Sequence, residues 1–360
     1  MAAPRGGGKL ARQPQRRYPA GFPEQDTTFM PDHRLDVLAI GNAIVDVIAN
    51  ADDGFIETIG MPKGSMRLID EAEAERLYGM MGPGRETSGG SAANTVAGLA
   101  SLGLKAGFVG QLGDDDLGGI FIHDIRSLGV EFGTAPRSDV GATARCLILV
   151  TPDAQRTMNT FLGAAQRLGP ESVDEAEVAS ARIVYLEGYL WDPAEPRAAM
   201  YKAMDAAKAA GTRVAFTLSD SFVVDRHRDD LNRLLEERRI DILFANEAEI
   251  VMLAGEAEFD AAVAAIAPKV PTLVVTRSEH GAVAVRGEER AQVAAEPIER
   301  LVDTTGAGDL FAAGFLAGEA RGLPLEQSLK LGAICAAEVI QHYGARPEAD
   351  LKTLARDLIA

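Results

Sequence analysis

Short apolar runs recur at residues 35–41, 106–110, 182–187, 213–218, 240–245 and 271–276, and stretches with helical spacing separate most of them. This alternation constrains the fold more than any other feature of the chain. A strand buried on both faces reads as a continuous apolar run, and neighbouring parallel strands need long crossovers. The pattern therefore predicts an α/β fold of three layers, with helices on both faces of a mainly parallel central sheet. Helical spacing is clear at 91–102, at 117–127 and from Gly308 onward. Two pairs of alternating runs read as hairpins, 144–151 with 156–162 and 281–286 with 291–294. The segments near 48–68 and 130–165 break the rhythm, and we expect them to form a small β lid.

Charge excludes whole classes of function. The chain carries 36 Lys and Arg against 53 Asp and Glu, a net −17, whereas a binder of nucleic acid or of an anionic membrane needs a basic face. No run approaches the ~18 apolar residues of a membrane span. Cys146 and Cys335 lie far apart, without metal-ligand spacing, which suits a reduced cytoplasmic protein. Residues 1–33 differ from the rest: rich in Pro and Gly, with Arg5, Lys9, Arg12, Arg16 and Arg17 and no apolar stretch. They read as a disordered basic tail before a single domain at 34–360, with Met30 a suitable start codon.

The chemistry gathers in VDTTGAGDLFAAGF at 302–315. Gly306, Ala307 and Gly308 precede a helical pattern, and N–H groups at a helix N-terminus, unobstructed by side chains, make an anion site. Facing a transferring phosphoryl group, such a site would hold developing negative charge, and Asp309 would be placed to take a proton from a hydroxyl nucleophile. The plain alternative is a glycine turn with Asp309 as a first-turn acid favoured by the helix dipole.

The same stretch resembles the C-terminal signature of the ribokinase (PfkB) family of carbohydrate and nucleoside kinases. SGGSAANTVAGLASLGLKAGFVGQLGDDDLG at 88–118 resembles the family's N-terminal signature, and the likeness extends over about 35–350. GNAIVD at 41–46, EGYLWDP at 187–193, TLSDSF at 217–222 and AAEVIQHYGARP at 336–347 look most like the bacterial adenosine kinases of that family. The resemblance implies a ribokinase-like fold, ATP and Mg²⁺ as cofactors, and transfer of the γ-phosphoryl group to the 5′-hydroxyl of adenosine. Another nucleoside, or a sugar such as ribose, is the alternative acceptor, and a non-catalytic binding protein is the alternative of another class. We expect a monomer or homodimer.

Residue by residue, Asp309 matches the base, and Gly306, Ala307 and Gly308 the anion hole, with Thr305 beside them. Asn42 and Asp46 fall in GNAIVD, with Asp46 expected at the end of the first strand. A carboxylate there can accept both hydrogens of a ribose diol, and Gly90, Ser91 and Asn94 match residues that hold the sugar. Arg156, on the first hairpin, matches an arginine that neutralises phosphates; alone it reads equally as an exposed strand residue. Tyr185, Tyr189 and Trp191 form the densest aromatic cluster, and with Phe222 they are candidates for a purine slot or for core. Asn246 and Glu249 match a motif tied to hydrated Mg²⁺, with Glu249 acting through water, and equally form a capping box. Thr276 and Arg277 match a loop bordering ATP.

Competing schemes lack their motifs. GxxxxGK[ST], HExxH and GxSxG are missing, and no GxGxxG follows the first strand. The five histidines show no ligand spacing.

Overall fold

The computed structural model describes residues 33–153 and 155–359, so nearly all of the basic tail expected at 1–33 lies outside the described residues. Its strands, in chain order, are β1 (Leu35–Ile40), β2 (Ile44–Asn50), β3 (Met66–Leu68), β4 (Gly84–Gly89), β5 (Ala106–Val109), β6 (Glu131–Phe132), β7 (Ala144–Val150), β8 (Arg156–Phe161), β9 (Ala181–Glu187), β10 (Arg213–Thr217), β11 (Ile242–Asn246), β12 (Thr272–Thr276), β13 (Ala282–Arg286) and β14 (Glu289–Val293).

Nine of them form one sheet in the order β14-β13-β12-β11-β10-β9-β1-β5-β6. Every ladder from β6 to β12 is parallel, and the β12–β13 and β13–β14 ladders are antiparallel. The apolar runs make these central strands because side chains alternate between two faces, and both faces are covered. Val37 and Ala39 enter one core, with Val96, Leu310 and Phe315 from the helices Ser91–Ser101 and Ala307–Arg321. Leu35, Leu38 and Ile40 enter the other, with Met200 and Val223 from Ala194–Ala210 and Ser221–Glu236. Each such Leu, Ile or Val contributes ~1.5–3 kcal/mol on burial. Among the described residues no helix is long and apolar enough to cross a membrane.

A second sheet has the order β3-β8-β7-β2-β4. Its composition departs from the sequence expectation. It takes in Ile44–Asn50 and Gly84–Gly89, while Glu131–Phe132 pairs with β5 in the large sheet. The polar, glycine-bearing GRETSG carries little apolar alternation and gives no strand signal of its own; pairing with β2 makes it a strand. Asp46 likewise does not end the first strand. The chain leaves the large sheet at Gly41, and Asp46 sits inside β2, across from Thr87 and Cys146. The register aligns Asp46, Cys146, Thr160 and Leu68 across one face of the small sheet, with Ile48, Ile148, Met158 and Met66 in the next row.

Candidate active site

A cavity of about 700 Å³ opens between the C-terminal ends of the large sheet's strands and this face of the small sheet. Ligands of parallel sheets bind beyond the carboxyl ends of strands, and the volume suits a small-molecule site. Glu187 lines it from the end of β9, Thr217 from β10, Asn246 from β11 and Thr276 from β12; Asp46, Cys146, Ile148, Met158 and Thr160 line it from the small sheet.

The helix Ala307–Arg321 points its N-terminus at this space. Gly306 is its N-cap at φ 81°, a left-handed conformation that favours glycine, and a Cβ there would lie 2.6 Å from that of Ala345. A Cβ on Gly308 would meet nothing within 4 Å, and Gly306, Gly308 and Thr305 all line the cavity. Ala307 is not among the lining residues. The first N–H groups of a helix have no intrahelical acceptor, which leaves them for an anion.

Asp309 follows in the first turn. Ser91 Oγ donates to its Oδ1 at 2.6 Å, and Asn94 Nδ2 donates to its Oδ2 at 2.9 Å. Burial raises its pKa, while these two donors and the charge of Arg346 act in the opposite direction. Asn94 Oδ1 is buried with no hydrogen-bond partner. Gly90, at φ 99°, turns β4 into the helix carrying Ser91 and Asn94. The Asp46 carboxylate makes no hydrogen bond among the described residues and faces the cavity, and burial pushes it up to about 6.

The predicted residues divide. Asn42, Asp46, Gly90, Ser91, Asn94, Tyr189, Phe222, Asn246, Glu249, Thr276, Thr305, Gly306, Gly308 and Asp309 meet at the cavity. Tyr185 lines it too, although its ring is buried against Phe244. Trp191 does not reach it; fully buried, it packs edge-on to Phe216, with centroids 5.8 Å apart, and is core. The purine slot anticipated on that side therefore loses its largest ring. Arg277 turns away to Glu247, with Nε 2.9 Å from Oε2, and covers the ring of Phe259. Arg156 bonds Asp303 through Nη1 and reaches Thr305 Oγ1 at 3.3 Å, while its buried Nε and Nη2 have no partner. Asn246 and Glu249 form the capping box and also face the cavity.

Sequence reasoning passed over two charged groups. Glu187 accepts from Asn42 Nδ2 at 2.6 Å and from the Ala92 N–H at 2.9 Å, and burial raises it to about 7. A lone carboxylate ending the apolar run of β9 was the available signal. Arg346 reaches the β4–helix corner from the far end of the chain; it lies in AAEVIQHYGARP, but nothing in that stretch singles it out.

A glycine-lined helix N-terminus beside a partly buried carboxylate, on a three-layer α/β frame with a second small sheet, defines a ribokinase-like phosphotransferase. The pfkB family carbohydrate kinase model matches residues 69–352, and the chain belongs to that family of ATP-dependent kinases. An adenosine kinase from Sinorhizobium meliloti is 50% identical, with a TM-score of 0.82 over 90% of this chain and 99% of that one. A probable sugar kinase from Rhizobium etli is 47% identical, with a TM-score of 0.83 over 90% and 98%. An ATP-dependent ribose-1-phosphate kinase from Halopiger xanaduensis is 31% identical over 74% of this chain and 85% of its own.

Proposed function

We propose that the protein transfers the γ-phosphoryl group of ATP to the 5′-hydroxyl of adenosine, giving AMP and ADP. The observation that carries this reading is the meeting of Asp46 and Asp309 in one cavity, with an apolar wall beside Asp46. Asp46 has both oxygens free and accepts the 2′- and 3′-hydroxyls of the ribose. Asn94 Oδ1, buried and unpartnered, is a further acceptor for a sugar hydroxyl. The base then lies along Leu68, Ile148, Met158 and Leu162, with Tyr189 and Phe222 opposite. Similarity to the Sinorhizobium meliloti adenosine kinase supports the acceptor.

In the reaction the 5′-O–H bond breaks as Asp309 takes the proton, the oxygen forms a bond to Pγ, and the bond from Pγ to the β-phosphate oxygen breaks. Gly306 and Gly308 present backbone N–H groups to the transferring group, whereas the Ala307 N–H is held by the Thr304 carbonyl at 3.2 Å. Arg156, with two unpartnered nitrogens, suits a phosphate. Among the described residues no group of three carboxylate, histidine or cysteine side chains could grip a metal ion. Glu249 gives both oxygens to Asn246, so it suits an ion held by the nucleotide and reached through water. Mg²⁺ bound in that way screens the phosphate charge.

An acceptor screen with ATP and Mg²⁺ tests the reading. Adenosine should exceed ribose in kcat/KM by at least ~10²-fold, or about 2.7 kcal/mol at the transition state. A preference for ribose or another sugar would keep the family and discard the nucleoside.

A further inference from the structure

Arg346 carries a charge for which the proposed reaction has no use. It sits in the turn Gly344-Ala345-Arg346-Pro347, and its side chain runs inward to the corner where β4 enters the helix Ser91–Ser101. Nε and Nη2 donate to the Ser88 carbonyl at 3.1 and 2.6 Å. Nη2 also donates to Ser88 Oγ at 2.9 Å, and Nη1 donates to the Ala93 carbonyl at 2.5 Å. All its hydrogen bonds go to neutral acceptors, and it makes no ion pair among the described residues. Three carboxylates lie within electrostatic reach: Asp46, Asp124 and Asp309. Asp124, which also accepts from the Ser88 N–H and Oγ, shares that charge with the two carboxylates of the cavity.

We propose that Arg346 is a positioning residue for phosphoryl transfer, clamping the corner that bears Gly90, Ser91 and Asn94 and supplying the charge that lets Asp46 and Asp309 stay ionised together. The inference rests on the roles given to those two aspartates above. Two like charges sharing one cavity resist joint ionisation unless a cation offsets them. Around Asp46, Arg346 and Arg156 favour the anion, while burial and Asp309 oppose it; Cys146 across the ladder, its thiol pushed up to about 12, is neutral. Around Asp309, Ser91, Asn94 and Arg346 favour the anion and burial opposes it. Glu187 and the uncharged Tyr185 and Tyr189 complete its surroundings. Arg156 is already engaged with Asp303, so Arg346 is the cation common to both carboxylates.

The test is the acid limb of kcat/KM for the preferred acceptor in wild type, R346Q and R346K, with Tm measured for each. R346Q should move the limb up by about one pH unit, losing ~10-fold in kcat/KM near pH 6.5 and recovering toward wild type near pH 8.5. R346K keeps the charge and should keep the wild-type limb, even though its Tm falls with the lost hydrogen bonds. A limb unshifted in R346Q overturns the inference, as does an equal loss at every pH in both variants. If R346Q does not fold, R346M decides by the same reading: a limb shifted upward supports the role and a wild-type limb overturns it. Turnover retained by Asp309→Asn would overturn the base assignment and this inference with it, whereas an unshifted limb overturns the inference alone.

Discussion

Ser91 Oγ donates to Asp309 Oδ1 at 2.6 Å, joining residues 218 positions apart. With Asn94 Nδ2 on the other oxygen, it fixes the plane of the carboxylate and opposes the proton that burial would add. The proposed base is thus oriented by the same helix turn that the resemblance assigned to the sugar.

Asp309→Asn should lower kcat by ~10²–10⁴-fold, the usual contribution of a general base, and leave Kd for ATP and acceptor within a few-fold. Ser91→Ala removes one charge-assisted hydrogen bond, of ~1.5–3 kcal/mol, and should cost about tenfold or more in kcat. Steady-state kinetics with calorimetric binding check both; Asp309→Asn at half the wild-type kcat would remove Asp309 from its role.

Gly308→Ala separates folding from function. The added methyl meets nothing within 4 Å and suits a helical turn, so Tm should hold or rise slightly. The same methyl projects into the cavity where the phosphoryl group must approach, so kcat/KM should fall at least ~10-fold. A thermal melt and a rate assay on one preparation suffice; a fully active variant would place the phosphate elsewhere.

Asp46→Asn should stabilise the protein while disabling it. A carboxyl whose pKa rises on folding costs stability above its folded value and nothing below its unfolded value. For Asp46 the folded value is about 6 against an ordinary 3.8. The variant's Tm advantage should therefore be full near pH 8 and fade as pH falls through about 6. Acceptor kcat/KM should drop ~100-fold or more near pH 8, given the charge-assisted hydrogen bonds lost, and the gap should narrow as pH falls through about 6 and wild-type Asp46 becomes neutral. Melts across pH decide it: an advantage that grows toward acid would reverse the sign and refute the account.

Leu68→Ser probes the base-binding wall. Leu68 is 64% exposed, so Tm should change little, yet it lines the cavity in the same cross-strand row as Asp46, three strands away. Loss of apolar contact should lower kcat/KM for adenosine and leave that for ribose unchanged, whereas Trp191→Phe should lower Tm and leave the ratio alone. Should Trp191→Phe change selectivity instead, the base would lie on the aromatic side.

Much of this was legible from short segments. Apolar runs placed the central strands to within a residue or two, because burial on both faces demands continuous apolar sequence. TGAGD announced a helix N-terminus, and NEAE announced the capping box that Asn246 and Glu249 make. Trp191 was misleading because an aromatic cluster has the same spacing in a core as at a ligand site. GRETSG was silent because its pairing partner, not its composition, makes it a strand.

The sequence by itself therefore determined the layers, the family and the glycine turn that carries Asp309, since caps, turns and apolar periodicity are written within a few consecutive residues. Only the tertiary structure decided that Ser91 and Asn94 bond Asp309, that Arg156 bonds Asp303, that Arg346 approaches the β4 corner, and that Asp46 belongs to a second sheet. The reason is register and crossover geometry. A one-residue slip of β2 would turn Asp46 to the opposite face of its sheet, and no local spacing encodes that Arg156 meets Asp303 147 positions on or that Ser91 meets Asp309 218 positions on.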